Sequence, residues 1–142
     1  MEMTQDQLLD ILNGLIPGTL METLGIRYTK ADPETGEFEA TMPVGPKVHQ
    51  PMGLLHGGAN VALCESLGSA ASQTYLEMGK QAAVGIEISA NHIKSMTHGV
   101  VTAKAQLIHK GRSTHVWDFR LEDERGQLVG ICKMTNMIKD IR

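Results

Sequence analysis

One charged residue stands in a run of otherwise small and apolar residues. From Gly57 to Leu76 the chain reads GGANVALCESLGSAASQTYL, and Glu65 carries its only charge. An ionised carboxylate in an apolar helix costs several kcal/mol, on the order of 3 or more, unless it is paired, solvated or protonated. Two readings follow. Glu65 is a base or nucleophile whose pKa is raised by desolvation, or it forms a buried ion pair with a Lys or Arg from a strand. Ser69 lies four residues on, hence on the same helical face, where its hydroxyl can reach the carboxylate or a water beside it. Just upstream stand His49-Gln50-Pro51 and Leu54-Leu55-His56-Gly57-Gly58. Two glycines at a helix start leave the first backbone N–H groups bare, able to polarise a carbonyl or hold an oxyanion. The same pair also fits a plain turn. Gly57 and Glu65 are eight residues apart, so their Cα atoms lie about 12 Å apart along a helix axis. A Glu side chain cannot span that. If both groups act on one substrate, they come from different subunits, and the site lies at a two-fold dimer interface.

Other polar groups carry weaker signals. His109-Lys110-Gly111-Arg112-Ser113-Thr114 combines basic side chains with hydroxyls between two strands, which suits phosphate groups or simply a solvated turn. The histidines (His49, His56, His92, His98, His109 and His115) show no HxxxH spacing, so no metal site is expected. Cys64 and Cys132 sit in apolar runs without CxxC spacing and read as reduced, packed thiols. The nine methionines read as core filler.

The elements that must position these groups follow from periodicity. Thr4-Gln5-Asp6-Gln7 is a capping box, and Leu8, Ile11, Leu12 and Leu15 recur at helical spacing, predicting a short N-terminal helix. Leu24, Ile26 and Tyr28 alternate with polar residues and, across a turn at residues 32–36, face Phe38, Ala40 and Met42, a half-buried hairpin. Four more strands are predicted. Val84, Ile86, Ile88 and Ala90 share one face of the first; Val101 to Leu107 and Trp117 to Leu121 alternate likewise; residues 127–138 form the last. Short connections make the sheet largely antiparallel. The apolar segment 57–76 is too long for a strand and apolar nearly all round, so it is a helix buried on most sides. The expected fold is α+β: a curled sheet of about six strands around one long helix.

The whole chain is 142 residues, one domain over 1–142, with 42% hydrophobic and 20% charged residues. Thirteen basic against sixteen acidic residues give a net charge of −3, which argues against nucleic acid or an anionic membrane as partner. No signal-peptide pattern opens the sequence and no apolar run approaches a membrane span, so a cytoplasmic location is expected.

The run Gln50-Pro51-Met52-Gly53-Leu54-Leu55-His56-Gly57-Gly58-Ala59, continuing to Glu65-Ser66-Leu67-Gly68-Ser69, resembles the signature of hotdog-fold acyl-CoA thioesterases. It stands nearest the branch of phenylacetate-pathway thioesterases and 1,4-dihydroxy-2-naphthoyl-CoA hydrolases. The resemblance extends through Gly85-Ile86-Glu87-Ile88-Ser89-Ala90-Asn91-His92 and His109-Lys110-Gly111-Arg112, nearly the whole chain. It implies that Glu65 is nucleophile or general base, and that the Gly57 N–H polarises the thioester carbonyl with Gln50 and His56 positioning it. Ser69, and Ser66 beside it, would assist from the partner's helix. Gly85, His92, Ile93, Lys94 and Ser95 would line the substrate channel. His109, Lys110, Gly111, Arg112, Ser113 and Thr114 would meet the CoA nucleotide. The resemblance further implies a dimer, paired into a homotetramer, and no cofactor beyond the CoA carried by the substrate. The expected reaction is hydrolysis of an aromatic or medium-chain acyl-CoA to free acid and CoA. Two alternatives remain: a hotdog 3-hydroxyacyl thioester dehydratase or hydratase, and a dimer that binds acyl-CoA without turnover.

Overall fold

The computed structural model describes residues 2–141. Helix α1 (Gln5–Gly14) begins on the predicted capping box: the Thr4 side chain accepts from the Gln7 N–H, and the Gln7 side chain accepts from the Thr4 N–H. A short helix α2 (Leu20–Leu24) follows, where alternation had predicted the start of a strand. Gly25 ends it at φ 72°, a left-handed conformation that costs glycine nothing, and Ile26 N–H closes the turn on the Met21 carbonyl. The first strand therefore begins later than expected: β1 is Arg27–Asp32 and β2 is Glu37–Val44.

After a single 3-10 turn at Pro46–Val48 comes α3 (Gly57–Gln73), then β3 (Gln81–His92), β4 (Gly99–Lys110), β5 (Thr114–Glu122) and β6 (Leu128–Asp140). The six strands form one antiparallel sheet in the order β1-β2-β4-β5-β6-β3. This is the predicted α+β architecture, a curled sheet with a long helix in its concavity. The helix stops at Gln73 because Thr74, Tyr75 and Leu76 turn back with N–H bonds to the carbonyls of Ala71, Ser72 and Gln73, three residues earlier.

One face of α3 builds the core. Leu63, Leu67 and Ala71 are buried against Phe38, Met42, Trp117, Phe119 and Met134 from the sheet, and full burial of each large side chain contributes about 2 kcal/mol. Gly68 brings helix and sheet into contact: a Cβ there would lie 2.7 Å from Met134 Sδ and 2.9 Å from Phe119 Cζ. Cys64 and Cys132 are free and buried.

Strand β3 departs from the simple alternation expected of it. A bulge between Gly85 and Glu87 shifts the register against β6. Ile88 and Ala90 pack on the core, whereas Val84 and Ile86 are 44% and 53% exposed. Strand β3 is also a sheet edge, twelve residues long, with a row of main-chain groups open to a partner.

Candidate functional site

The start of α3 is built to expose one N–H group. His56 is the N-cap residue, and its Nδ1 accepts from the Gly58 N–H at 2.8 Å. That bond requires an unprotonated Nδ1, so in the neutral ring the proton sits on Nε2. Ala59 and Asn60 donate to the His56 carbonyl, while the Gly57 N–H has no hydrogen-bond acceptor among the described residues. The His92 ring explains the glycine: a Cβ on Gly57 would lie 2.6 Å from His92 Nε2. The preceding loop is tied down at Gln50, whose N–H donates to the Leu54 carbonyl at 2.8 Å and whose Oε1 accepts from the Met52 N–H. With Oε1 engaged, the Gln50 amide NH2 is the end left to donate.

Glu65 is exposed, contrary to the expectation that its own chain buries it. The apolar surround read from the sequence covers only three sides of α3. The fourth is an open strip running Gly58, Ala62, Glu65, Ser69 and Gln73, the spacing of a single helix face. No Lys or Arg pairs with Glu65 among the ion pairs of the described residues, which removes the buried ion-pair reading.

Two cavities meet at Glu65. The larger, about 540 Å³, runs between α3 and the N-terminal helices; Leu12, Leu20, Met21 and Tyr28 face Ser66 and Ser69 across it, with Glu65 at its edge. The Tyr28 hydroxyl donates to the Ser66 carbonyl at 3.3 Å, and burial pushes its pKa up to about 12, so it stays a neutral donor. The smaller cavity, about 210 Å³, lies at the β3 bulge between Glu65, Gly85, Ile88 and Met134. A Cβ on Gly85 would lie 3.5 Å from Glu65 Oε2.

Beneath them lies a buried polar hub. Ser72 Oγ accepts from Trp117 Nε1 at 2.8 Å and Asn136 Nδ2 at 2.8 Å, and lies 2.9 Å from His115 Nδ1. Two donors occupy both lone pairs of the hydroxyl, so its own proton points to His115 Nδ1. His115 is thereby held as the Nε2–H tautomer. Burial first, then the charges of Lys110 and His109, keep its pKa below the usual histidine value.

The structure gathers Gly57, His56, Gln50 and His92 at one end of α3, and Glu65, Ser66, Ser69 and Gly85 around its middle. It does not bring the 109–114 turn to either group. Lys110 Nζ sits 4.9 Å above the Tyr75 ring, just past the C-terminal end of α3. The Gly111 N–H donates to the Thr114 carbonyl, Ser113 accepts from the Ile138 N–H through its carbonyl, and Arg112 is exposed; His109 is exposed beside Gly111. Lys94 is paired with Asp123 and bonds Gln127 Oε1, holding the Asp123 carboxyl below the usual range. Ile93 and Ser95 are exposed nearby. Sequence reasoning missed Tyr28 and Asn136. Each sits in an alternating strand where a polar head looks like an ordinary face assignment. A groove of about 850 Å³ on the sheet's outer face, walled by Lys30, Glu37, Lys104, Asp118 and Arg120, contains none of the candidate residues.

Comparison with known proteins gives a consistent result. Residues 52–130 match the family model described as the thioesterase superfamily. The chain is 45% identical to the proofreading thioesterase EntH of Cronobacter turicensis, covering 84% of this chain and 85% of that one. It is 41% identical to the 1,4-dihydroxy-2-naphthoyl-CoA hydrolase of Escherichia coli strain K12, covering 92% and 93%. Among solved structures, a mutant thioesterase from Pseudomonas aeruginosa superposes with a TM-score of 0.90 at 41% identity, covering 94% of each chain. A thioesterase from Haemophilus influenzae gives 0.88 at 36%, covering 99% and 93%.

Proposed function

Because the chain belongs to the thioesterase superfamily and is a thioester hydrolase of the hotdog fold, we propose that it hydrolyses acyl-CoA thioesters with aromatic or medium-chain acyl groups. Glu65 acts on the thioester carbon while the Gly57 N–H polarises the carbonyl. The observation that carries this reading is the pairing of an unpaired, exposed carboxylate on the open strip of α3 with a bare N–H at the start of that helix. The two ends cannot meet within one chain, since eight helical residues separate them by about 12 Å.

Association along β3 supplies the second copy in this proposal. An antiparallel two-fold pairing of that open edge lays the two α3 helices side by side in opposite directions. Glu65 of one protomer then faces the partner's Gly57, and exposed Val84 and Ile86 are covered. Pairing of dimers into a tetramer belongs to the same proposal. The acyl group occupies the apolar cavity of about 540 Å³, whose lining from α1 and α2 suits a flexible chain or a flat ring. His92 stands beside the carbonyl, Ser66 and Ser69 flank the departing acid, and Lys110 and Arg112 meet CoA phosphates at the periphery. The step consumes one water: its oxygen bonds the thioester carbon, the C–S bond breaks, and acid and free thiol leave. It needs no metal or cofactor, and we assign the protein to the cytoplasm, where CoA esters are made; among the described residues no helix is long and apolar enough to cross a membrane.

A thiol-release screen across benzoyl, hydroxybenzoyl and straight-chain acyl-CoA esters tests the reading. Turnover of one class that falls at least about 100-fold in Glu65→Gln supports it. Equal thiol release by Glu65→Gln overturns it. Hydration of crotonyl-CoA without free thiol would instead favour the dehydratase class.

A further inference from the structure

Helix α1 is held on the sheet by contacts of two kinds. Leu8, Leu9 and Leu12 pack against the core, but apolar contact is non-directional and lets a helix slide or turn. One side chain is directional. Asn13 Nδ2 donates to the Tyr28 carbonyl at 2.9 Å, and Asn13 Oδ1 accepts from the Tyr28 N–H at the same distance. Strand β1 is a sheet edge, and the amide lies along it as a neighbouring strand would. A flipped amide would set donor against donor and acceptor against acceptor, so the pair admits one placement of the helix.

Tyr28 carries this fixation across to α3. Its side chain is buried, and its hydroxyl donates to the Ser66 carbonyl, one residue beyond Glu65. Three elements are thus joined through one residue, by its main chain on one side and its phenol on the other. The cavity of about 540 Å³ lies around this strut. Leu12 and Leu15, on either side of Asn13 in sequence, form its α1 wall; Ser66 and Ser69 form the α3 wall, and Tyr28 lines it between them. Leu15 is 66% exposed, so core packing does not fix where it stands.

We propose that Asn13 is a positioning residue for acyl-chain length: by fixing α1 against Tyr28 it sets the depth of the cavity that takes a straight-chain acyl group. The proposal rests on the acyl-CoA reading above and adds to it the residue that decides which chains fit. In that reading the thioester carbonyl lies at Glu65, on the cavity's edge, and the chain runs from there toward α1. Short chains end before Leu12 and Leu15, and longer ones press on them. A fixed helix turns that pressure into discrimination, whereas a loose one yields. Asn13 does not line the cavity and acts only through its hold on Tyr28, so turnover of an ester once bound does not depend on it.

Asn13→Ala removes both bonds, leaves Leu8, Leu9 and Leu12 to hold the helix, and places there the residue that helices favour most. Straight-chain CoA esters from butanoyl to palmitoyl are compared by kcat and KM. Wild type should show a length optimum, with kcat/KM falling at least about 10-fold for longer chains. In the variant that fall should shrink below about threefold, through KM, while kcat for the optimal ester changes less than about twofold. Hydrogen exchange gives a reading independent of turnover: the Tyr28 N–H should exchange at least about 10-fold faster in the variant. An unchanged length profile, an equal fall in kcat for every ester, or equal exchange at Tyr28 overturns the proposal. So does a wild type without a length optimum, including one that hydrolyses aromatic esters alone. A wild type that releases no thiol from any CoA ester overturns the acyl-CoA reading instead. Calorimetric titration with the free straight-chain acids then decides the role of Asn13: a length optimum that flattens in the variant supports it, and equal profiles or no binding overturn it.

Discussion

Replacing Ser72 by alanine should cost far more than one small side chain suggests. Its hydroxyl joins α3 to β5 and β6 through Trp117, His115 and Asn136. All four residues are at most 2% exposed, so no bulk water can replace it. Asn136 keeps its bond to the Gly68 carbonyl. Trp117 Nε1 and His115 Nδ1 are each left without their partner. Two such orphaned groups at about 1–3 kcal/mol each, less some relaxation, give a loss near 3 kcal/mol. At about 3 °C per kcal/mol for a chain of this length, the melting temperature falls by about 9 °C. Urea unfolding followed by far-UV circular dichroism, at fixed protein concentration because an oligomer's stability depends on it, measures the change. A loss below about 1 kcal/mol would falsify the hub and the tautomer assigned through it.

The same hub makes stability depend on pH. The folded pKa of His115 lies below that of the unfolded chain, so the unfolded state binds more protons as pH falls. Stability should decline as pH drops through about 6.5 and level off below the folded value; comparing His115→Gln with wild type in urea titrations from about pH 7.5 to 5 should show this limb reduced, and equal slopes would exclude it. At the open edge, Ile86→Lys should leave circular dichroism unchanged but shift sedimentation toward the monomer and abolish thiol release. A fully active monomer would remove the dimer from the account. In the core, Gly68→Ala pushes a methyl into Met134 and Phe119 and should destabilise by about 1–3 kcal/mol in thermal unfolding. A gain in stability there would mean that helix and sheet are less closely packed than their contact distances require.

The strands β4 and β5 follow strict alternation, and pairs such as Ala105 with Phe119 share the inner face as a period of two requires. The start of α3 was legible because two glycines ahead of a long apolar run leave a local trace, whereas the His56 cap shows only in the fold. Three features were not. Alternation across Leu24-Gly25-Ile26 imitates a strand, but the left-handed Gly25 closes a helix, a choice made by turn geometry. The bulge after Gly85 turns Val84 and Ile86 away from the core, and bulges arise from pairing with β6 that no local pattern encodes. Glu65 looked buried because small residues surround it in sequence. Composition shows that a helix is apolar but not which strip of it the sheet leaves uncovered. Asn136 was invisible for a related reason: its buried amide NH2 finds its partners on Gly68 and Ser72, more than sixty residues away.

The central claim is that each site takes its carboxylate from one protomer and its bare N–H from the other. Gly57→Pro deletes that N–H and, through a Cβ 2.6 Å from His92 Nε2, displaces the His92 ring of the same half-site. Proline is accepted at the first helical position, His56 at φ −67° and ψ 127° already has the extended backbone a following proline requires, and the exposed His92 ring can swing aside. Glu65→Gln removes the other half. Each variant alone should be inactive. Unfolded together and refolded as a mixture, they should regain roughly a quarter of wild-type activity, since half of randomly paired dimers are mixed and each holds one intact site of two. A mixture as inactive as its parents, with mixed dimers verified by mass spectrometry, would contradict the account.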